Sequence, residues 1–341
     1  MRAHLARMSG VALLGLSLVA CGSGGGETGD TTDGSLAKIN VSVTPGTVWG
    51  IPIAVAKSEG YFEAAGVDVT VSPSPSGMGH NQLLASGVED FGPSSPSQAL
   101  AAIQQGQDAV ISCGGNSQTP TAIVAPIGSG LPTAASGATS ADVLEALKGK
   151  TLGMPAAAGT GTSNLMVQTL AGVGLNEGDY TLVNIGSGTT AQAALISKQV
   201  DAAMAATPTA ETVVGNGDAI ELTYLSDDME NYQMIGGVWQ SRRSWVEQNP
   251  KAESGFCAAM ADAYKFLQDP ANKDAVNDYV VEAVGTNTSA SAIDQIRENF
   301  SVLTADLSEA EMQKTIDGLT SLGVLEAEPK VTFEQAVLVS K

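Results

Sequence analysis

The chain carries one pattern of strands, loops and helices twice, and this internal repeat limits the folds open to it. Matching residues recur at separations of 111 or 112 positions, as in the pairs Asp90 and Asp201, Pro96 and Pro208, and Gly106 and Gly217. Each copy alternates short strands with helices, which is the pattern of parallel sheets covered by helices. The repeat therefore predicts an α/β protein of two lobes, each a mostly parallel sheet flanked by helices, with a cleft between them.

Length and charge narrow the possible functions. The 341 residues leave room for about two domains, each with its own core. Lys and Arg number 16 against 36 Asp and Glu, which gives a net charge of −20. Binding to nucleic acid requires clustered Lys and Arg. The sequence shows no such cluster, so nucleic acid is excluded as a partner.

The N-terminal segment has the pattern of an export signal. Arg2 and Arg7 precede a short apolar run, Val11–Ala20, which is half the length that a membrane-spanning helix needs. The ending Leu18–Cys21 resembles the lipobox of bacterial lipoproteins, in which the Cys is lipidated; the alternative is an ordinary cleavage site beside a chance Cys. A Gly- and Thr-rich stretch to Ser35 suits a flexible tether. We therefore expect an exported protein that Cys21 anchors by lipid to the outer face of the bacterial cell membrane or to the periplasmic face of a membrane.

The repeat also predicts how the chain is divided. The second copy forms a continuous insertion, and the mostly helical tail is expected to pack on the first lobe. The predicted segments are a signal peptide (1–20), a lipidated tether (21–35), a first lobe (36–118 and 240–341) and a second lobe (119–239).

Candidate site residues follow from the strand ends. Ligands of open parallel α/β sheets bind beyond the carboxyl ends of the strands, and the repeat identifies the loops that lie there. These loops are rich in Ser, Thr, Asn and Gly, and none contains Lys or Arg. They are Thr47–Gly50, Ser74–His80, Pro93–Ser95, Cys113–Asn116, Gly159–Ser163, Ser187–Thr190 and Ala206–Pro208.

The loop Gly159–Asn164 is the most informative of them. Its glycines allow a ligand to approach the backbone, and free N–H groups at the start of the following helix attract an anion without a formal charge. The alternative is that Thr162 or Ser163 serves only as a helix N-cap. The Lys of a P-loop is missing, which argues against a nucleoside triphosphate.

Two other residues of these loops have a functional and a structural interpretation. Trp49 is either an apolar wall for a planar or alkyl ligand or a partly buried core residue. His80 is either a ligand contact or, more commonly for such a position, a surface or capping residue.

Catalysis and metal binding find little support. A Ser-His-Asp arrangement would depend on His80, and the sequence has no Gly-x-Ser-x-Gly elbow. It also lacks His or Cys clusters for a metal, so no cofactor and no enzymatic activity are predicted. Cys113 and Cys257 would be free to pair in an oxidising compartment, and the sequence leaves this pairing open.

Several motifs in order resemble a known family. They are Ile51–Val69, Leu84–Gly92, Leu147–Gly153, Val200–Ala203 with Pro208, and Asn249–Pro250. Together they resemble the nitrate/sulfonate/taurine substrate-binding proteins of ABC transporters, a group that also includes binders of thiamine pyrimidine precursors. The resemblance covers roughly residues 38–300. It implies a two-lobed periplasmic-binding-protein fold of the second type, which delivers a small solute to an ABC permease and its cytoplasmic ATPase.

The expected solute is a small organic anion, a sulfonate or carboxylate, and aromatic acids are among the family's ligands. The alternative is a neutral planar heterocycle, or, on the same fold, an enzyme; this chain lacks the Cys-rich motif of the pyrimidine-synthesising relatives. The candidate ligand-binding residues are Trp49, Gly50, Ser76, Gly77, Met78, His80, Ser94, Ser95, Asn116, Thr160, Gly161, Thr162, Ser163, Ser187, Thr189 and Thr207.

Overall fold

The structure, a computed structural model, describes residues 36–44, 47–74, 77–285 and 288–338. The predicted signal peptide, tether and lipidation site at Cys21 lie outside this part of the chain. The strands are β1 (Ala37–Val43), β2 (Val67–Pro73), β3 (Phe91–Ser94), β4 (Val110–Asn116), β5 (Thr121–Pro126), β6 (Thr151–Met154), β7 (Thr181–Asn184), β8 (Ala202–Ala206), β9 (Ala219–Tyr224) and β10 (Gly237–Ser241).

Helices connect the strands and form most of the C-terminal tail. They are α1 (Gly50–Ser58), α2 (Tyr61–Ala64), α3 (Gly77–Ser86), α4 (Pro96–Gln104), α5 (Ser140–Glu145), α6 (Gly161–Gly172), α7 (Thr189–Ile196), α8 (Thr209–Gly215), α9 (Leu225–Asp228), α10 (Arg243–Gln248), α11 (Pro250–Gln268), α12 (Lys273–Val284), α13 (Ala290–Glu298), α14 (Glu309–Ser321) and α15 (Phe333–Ala336). Short 3-10 turns lie at Ala134–Ser136, Glu230–Tyr232, Pro270–Asn272 and Asn299–Val302.

The strands form two five-stranded sheets of the same design. The order is β2-β1-β3-β10-β4 in the first sheet and β7-β6-β8-β5-β9 in the second. In each sheet the second strand in this order, β1 or β6, is parallel to both of its neighbours, while β10 and β5 run antiparallel to the strands beside them. The predicted fold class, two lobes with mostly parallel sheets, is confirmed.

The repeat extends to individual hydrogen bonds. A carboxylate oxygen of Asp90 accepts the backbone N–H of Asn40 at 2.9 Å, and Asp201 accepts that of Thr151 at 2.8 Å. The two pairs have the same sequence separation of 50 residues. Each Asp thus joins the residues just before β3 or β8 to the neighbouring parallel strand, β1 or β6, which explains why it recurs in both copies.

The lobes are connected by two antiparallel strands. The chain leaves the first sheet after β4, enters the second through β5, and returns to the first through β10. Because β10 pairs with β3 and β4 from Gly237 onward, this strand starts before the predicted boundary between residues 239 and 240. The division into lobes otherwise stays a prediction.

Aromatic packing and a disulfide hold the first lobe together. Phe91 and Phe256 stack with ring centroids 4.2 Å apart, and Trp239, which is fully buried, meets Phe256 edge-on. Cys113 on β4 and Cys257 on α11 form a disulfide with Cα atoms 5.8 Å apart. The pairing that the sequence left open is therefore present, and it fastens the tail to the sheet.

The tail contacts both lobes. Helix α11 packs on α1 and α2 in the first lobe, as expected, whereas α13 packs on α8 in the second. Ser289 caps this contact, since its hydroxyl donates to the carbonyl of Gly215 at 2.8 Å. Helix α13 is the exception to the expected packing of the tail on the first lobe, because Gly215 has no side chain and lets Ala292 approach closely. In the part of the chain with described structure, no helix has both the length and the apolar composition to cross a bilayer.

Candidate functional site

The carboxyl ends of the strands meet in a cleft that contains two adjacent cavities. Compartment A has a volume of about 180 Å³, and compartment B about 240 Å³. The two share the lining residues Thr119, Pro155, Met204, Ala206 and Gly236. Compartment A is further lined by Thr47, Val48, Trp49, Asn116, Pro120, Gly186, Ser187, Ala191, Ala205, Thr207, Pro208 and Thr209. Compartment B is further lined by Ser95, Pro96, Ser97, Thr121, Gly161, Thr162, Leu165, Asn231, Tyr232, Met234, Ile235, Thr315 and Leu319.

Trp49 forms one wall of compartment A. Its six-membered ring lies over the backbone of Gly115 and Gly237, where an added Cβ would come within about 2.5 Å of ring atoms. The indole also meets Trp239 edge-on, with centroids 5.2 Å apart. Trp49 is therefore a half-buried packing residue that also lines the cavity, and its contact with a ligand stays a prediction.

A buried carboxyl group, that of Glu211, lies behind Thr207 in the wall of compartment A. Glu211 is only 1% exposed, and its Oε1 accepts hydrogen bonds from the hydroxyls of Thr207 (2.8 Å) and Tyr224 (2.9 Å). The amide of Asn299, which lies in the tail, donates to the same oxygen at 2.6 Å. Burial raises the pKa of Glu211, and these three hydrogen bonds oppose the shift. The network fixes Thr207, one of the predicted site residues.

Asn116 places a second polar group on compartment A. It ends β4, is 8% exposed, and its backbone carbonyl accepts the N–H of Gly236 at 3.0 Å. Its side-chain Oδ1 is buried and has no hydrogen-bond partner among the described residues. Buried acceptors are normally paired, so this atom is a candidate contact for a ligand.

Two helices begin at compartment B and face each other across the cleft. Ser95 caps α4 by accepting the N–H of Gln98 (3.3 Å), and Thr160 caps α6 by accepting that of Ser163 (3.4 Å). The expectation that Thr162 or Ser163 is the cap is wrong, since α6 begins at Gly161. The first N–H groups of a helix have no partner within it, so those of Gly161 and Thr162 are directed out of the helix end.

The lobes touch at this point. A Cβ on Gly161 would lie 2.5 Å from the hydroxyl oxygen of Ser97, so a glycine allows the two helix ends to approach. The dipoles of α4 and α6 therefore both place partial positive charge at compartment B.

The lining of both compartments is uncharged. No Lys, Arg, Asp or Glu of the described residues lines either cavity, although the chain carries a net charge of −20. The cleft thus has no cation to clamp an acid, and no lining carboxylate to repel one. The helix ends are then the main electrostatic feature that a ligand meets.

The structure brings seven predicted site residues to the cavity walls. These are Trp49, Asn116, Ser187 and Thr207 in compartment A, and Ser95, Gly161 and Thr162 in compartment B. Gly50, Ser94, Thr160, Ser163 and Thr189 lie close by in the chain but do not line either cavity. Ser76 lies outside the described residues, and so does the side chain of Met78, while Gly77 is the first residue of α3.

His80 is buried away from the cavity walls, in the first lobe. Its Nδ1 lies 3.2 Å from the Ser42 hydroxyl and 3.2 Å from the carboxylate of Glu89, while Ser42 also donates to Glu89. A Ser-His-acid triad needs the hydroxyl and the acid on opposite ring nitrogens. Here both partners share Nδ1, so this cluster has the geometry of a packed polar network and not that of a hydrolase. Among the described residues there is also no group of three or more potential metal ligands.

Several residues that line the cavities are not among the predicted site residues. Thr119 and Gly236 lie on the two segments that connect the lobes. Because these segments cross between the lobes, their position in the chain could have indicated that they line the cleft. Thr315 and Leu319 come from α14 in the tail, more than seventy residues after the second copy of the repeat, and no local pattern marks them.

Two similar five-stranded lobes, joined by antiparallel strands and enclosing a cleft at the strand ends, define the periplasmic-binding-protein fold of the second type. The sequence matches the NMT1/THI5-like family over residues 50–273, and the chain belongs to this family. The resemblance noted in the sequence is thereby confirmed. No curated protein sequence matches the chain.

Solved structures share the fold at low sequence identity. The alkanesulfonate-binding protein SsuA of Xanthomonas axonopodis pv. citri, bound to MOPS, matches with a TM-score of 0.70 and 19% identity, over 89% of this chain and 99% of its own. The nitrate-binding protein NrtA of Synechocystis PCC 6803 matches with a TM-score of 0.65 and 15% identity, over 86% and 83%. A DszB mutant in complex with biphenyl-2-sulfinic acid matches with 0.61 and 17%, over 88% and 96%.

Proposed function

We propose that the protein is the solute-binding component of an ABC importer, and that it captures a small organic anion, a sulfonate or carboxylate, in the cleft. The observation that carries this proposal is the convergence of α4 and α6 on an uncharged cavity. The protein would be exported, held to the outer face of the cell membrane by lipid on Cys21, and would deliver the solute to a permease driven by a cytoplasmic ATPase. Membership of the NMT1/THI5-like family supports this role.

The anion is held by backbone groups and hydroxyls. The N–H groups of Gly161 and Thr162 and the hydroxyls of Ser95 and Ser97 surround compartment B. Hydrogen bonds to a charged group contribute about 1.5–3 kcal/mol each, so three or four of them support micromolar binding after the entropy cost of association. The organic part of the solute would extend past the shared lining residues toward Trp49. That SsuA and NrtA are named for anions supports the choice of ligand class.

One observation favours a second candidate. The wall formed by Trp49, in a cleft whose described lining has no cation, also suits a neutral planar heterocycle that stacks on the indole. An enzyme on this fold is a weaker candidate, because the polar cluster at His80 does not have triad geometry, although a DszB variant shares the fold.

A pair of double variants tests the anion site. Ser97→Gly creates room at Gly161, and in that background Gly161→Pro removes one N–H whereas Gly161→Ala keeps it. Pro at the first position of a helix is well tolerated, so α6 should remain intact. For an anion, the Pro variant should bind about 10- to 100-fold more weakly than the Ala variant.

Solutes are first found by thermal-shift screening of sulfonates, carboxylates and heterocycles, and affinities are then measured by titration calorimetry. Trp49→Ala provides the comparison: a heterocycle should lose more affinity from Trp49→Ala than from the Pro variant, and an anion the reverse. Recovery of a chemically altered product would support an enzyme instead. Equal affinities in all three variants would exclude this site.

A further inference from the structure

Thr207 lines compartment A, and its hydroxyl proton is already donated to another residue. The hydroxyl donates to Oε1 of Glu211 at 2.8 Å and accepts a hydrogen bond from Nδ2 of Asn299 at 3.1 Å. A hydroxyl has one proton and two lone pairs. The single capacity that Thr207 retains is therefore a lone pair, which accepts a hydrogen bond.

Glu211 is the residue that imposes this direction. Its Oε1 also receives the hydroxyl of Tyr224 and the amide of Asn299, so three donors converge on one oxygen. Glu211 is only 1% exposed, so water does not compete with Thr207 for this oxygen. Glu211 therefore acts as a positioning residue for Thr207.

Asn116 contributes a second acceptor to the same compartment. Its Oδ1 is buried without a partner among the described residues, and the residue lines compartment A together with Trp49 and Thr207. Two acceptors on one small cavity are complementary to a donor. An acid group placed there would bring its oxygen lone pairs against those of Thr207 and Asn116. This repulsion opposes the attraction of an anion to the N-terminus of α7, which also begins nearby.

We infer that compartment A receives a hydrogen-bond donor of the solute, a hydroxyl or an amine. The solute is then an organic anion with a donor at the end opposite to its acid group. This inference rests on the proposed function, since it places the acid group at the ends of α4 and α6. Trp49 covers the segment between the two ends, and its ring face would favour an ammonium group as well.

Matched probes test the inference without knowledge of the natural solute. The pairs are 4-hydroxybenzenesulfonate with 4-methylbenzenesulfonate, and 3-hydroxypropanesulfonate with butanesulfonate; within each pair a hydroxyl replaces a methyl group of similar size. Titration calorimetry of the full-length protein should give at least about tenfold tighter binding of the hydroxyl member in one or both pairs. The ratio between the two members is the readout, because a general loss of folding does not change it.

Variants assign the preference to its residues. Thr207→Val and Asn116→Leu should each reduce the ratio several-fold, while Thr207→Ser should retain it. Glu211→Gln keeps a carbonyl oxygen for the three donors and should retain the ratio, whereas Glu211→Met removes the acceptor of the Thr207 proton and should also reduce it. Ser97→Ala, a change in compartment B, should weaken both members of a pair equally.

The outcomes separate the two proposals. Binding of both members with equal affinity overturns the inference and leaves the anion site in place. Tighter binding of the methyl members also overturns it. If none of the four sulfonates and none of the corresponding carboxylates binds, the proposed function and the inference fail together.

Discussion

The hydroxyl of Ser97 occupies the space that a side chain on Gly161 would need. A Cβ at Gly161 would lie 2.5 Å from Oγ and 2.9 Å from Cβ of Ser97, which belongs to the other lobe. This contact joins the two helix ends that we assign to anion binding. Any group inserted here must separate the lobes or shift both helices.

Gly161→Ala should therefore act as a wedge in the cleft. We expect overpacking of about 1–3 kcal/mol, which would appear as a roughly 5- to 150-fold loss of solute affinity with little change in thermal stability. Adding Ser97→Gly removes the obstructing atoms and should restore binding. Calorimetric titration of the single and double variants measures this. A double variant as weak as the single one would show that the contact does not limit closure of the cleft.

Gly115→Ala should displace Trp49 from its place over the sheet. The new Cβ would lie 2.5 Å from ring atoms of the indole, and the ring is too rigid to yield locally. We expect weaker solute binding and altered tryptophan fluorescence. Gly172→Ala is the matched control, since nothing lies within 4 Å of a Cβ at that helical position. Identical spectra and affinities for both variants would show that Trp49 is not held by this contact.

Glu211 should give stability a characteristic dependence on pH. Burial raises its pKa in the folded state, so its contribution is fully present below the unfolded pKa of about 4.3 and is lost as pH rises through the folded pKa. Glu211→Gln removes this loss. In urea unfolding, the stability of the variant relative to wild type should therefore increase as pH rises above the unfolded pKa and through the folded pKa.

Asp142→Asn is the control with the opposite sign. Hydrogen bonds from the side chain and backbone of Thr139 lower the pKa of Asp142, so its contribution is present above the unfolded pKa and is lost as pH falls. This variant should fall further behind wild type only as pH rises to about 4, the unfolded pKa of Asp, and should keep a constant deficit above it. A constant difference between Glu211→Gln and wild type would mean that the carboxyl group titrates normally.

Reduction of the disulfide should destabilise the protein. The bond between Cys113 and Cys257 links residues 144 positions apart, and removal of a native disulfide typically costs about 2–5 kcal/mol. We expect dithiothreitol to lower the unfolding midpoint of wild type to that of Cys257→Ser. The variant itself should not respond to the reductant. An unchanged midpoint for reduced wild type would argue that the bond does not form.

Cys21→Ala should release the protein from the membrane. Cys21 offers the thiol for lipidation beside the predicted cleavage site, and it lies outside the described residues. Metabolic labelling with a fatty acid should mark wild type and leave the variant unmarked. Label in the variant would contradict the lipobox interpretation.

The sequence predicted the parts of the fold that depend on local pattern. Asp90 and Asp201 recur because each ties the same two elements together, and this spacing revealed both lobes. Local pattern also accounts for the start of α14, where the Ser308 hydroxyl accepts the backbone N–H of Glu311 and donates to its carboxylate. Strand ends likewise located the cleft, because the carboxyl ends of parallel strands lie together.

Contacts between distant segments could not be predicted in this way. Asn299 reaches Glu211 across 88 residues, and nothing in the surrounding sequence of either residue indicates the other. The position of His80 depended on Ser42 and Glu89 from two other elements. The start of α6 at Gly161 was missed because three hydroxyl residues, Thr160, Thr162 and Ser163, offer equivalent caps.

The packing of α13 on α8 limits how the protein can be taken apart. The second lobe is continuous in sequence from β5 to β9, which invites its use as a separate module in sensors or chimeras. Such a fragment would expose the groove at Gly215 and leave Glu211 without the amide of Asn299. A transplantable second lobe must therefore carry the segment 289–299 with it, so the natural unit of exchange is discontinuous in the gene.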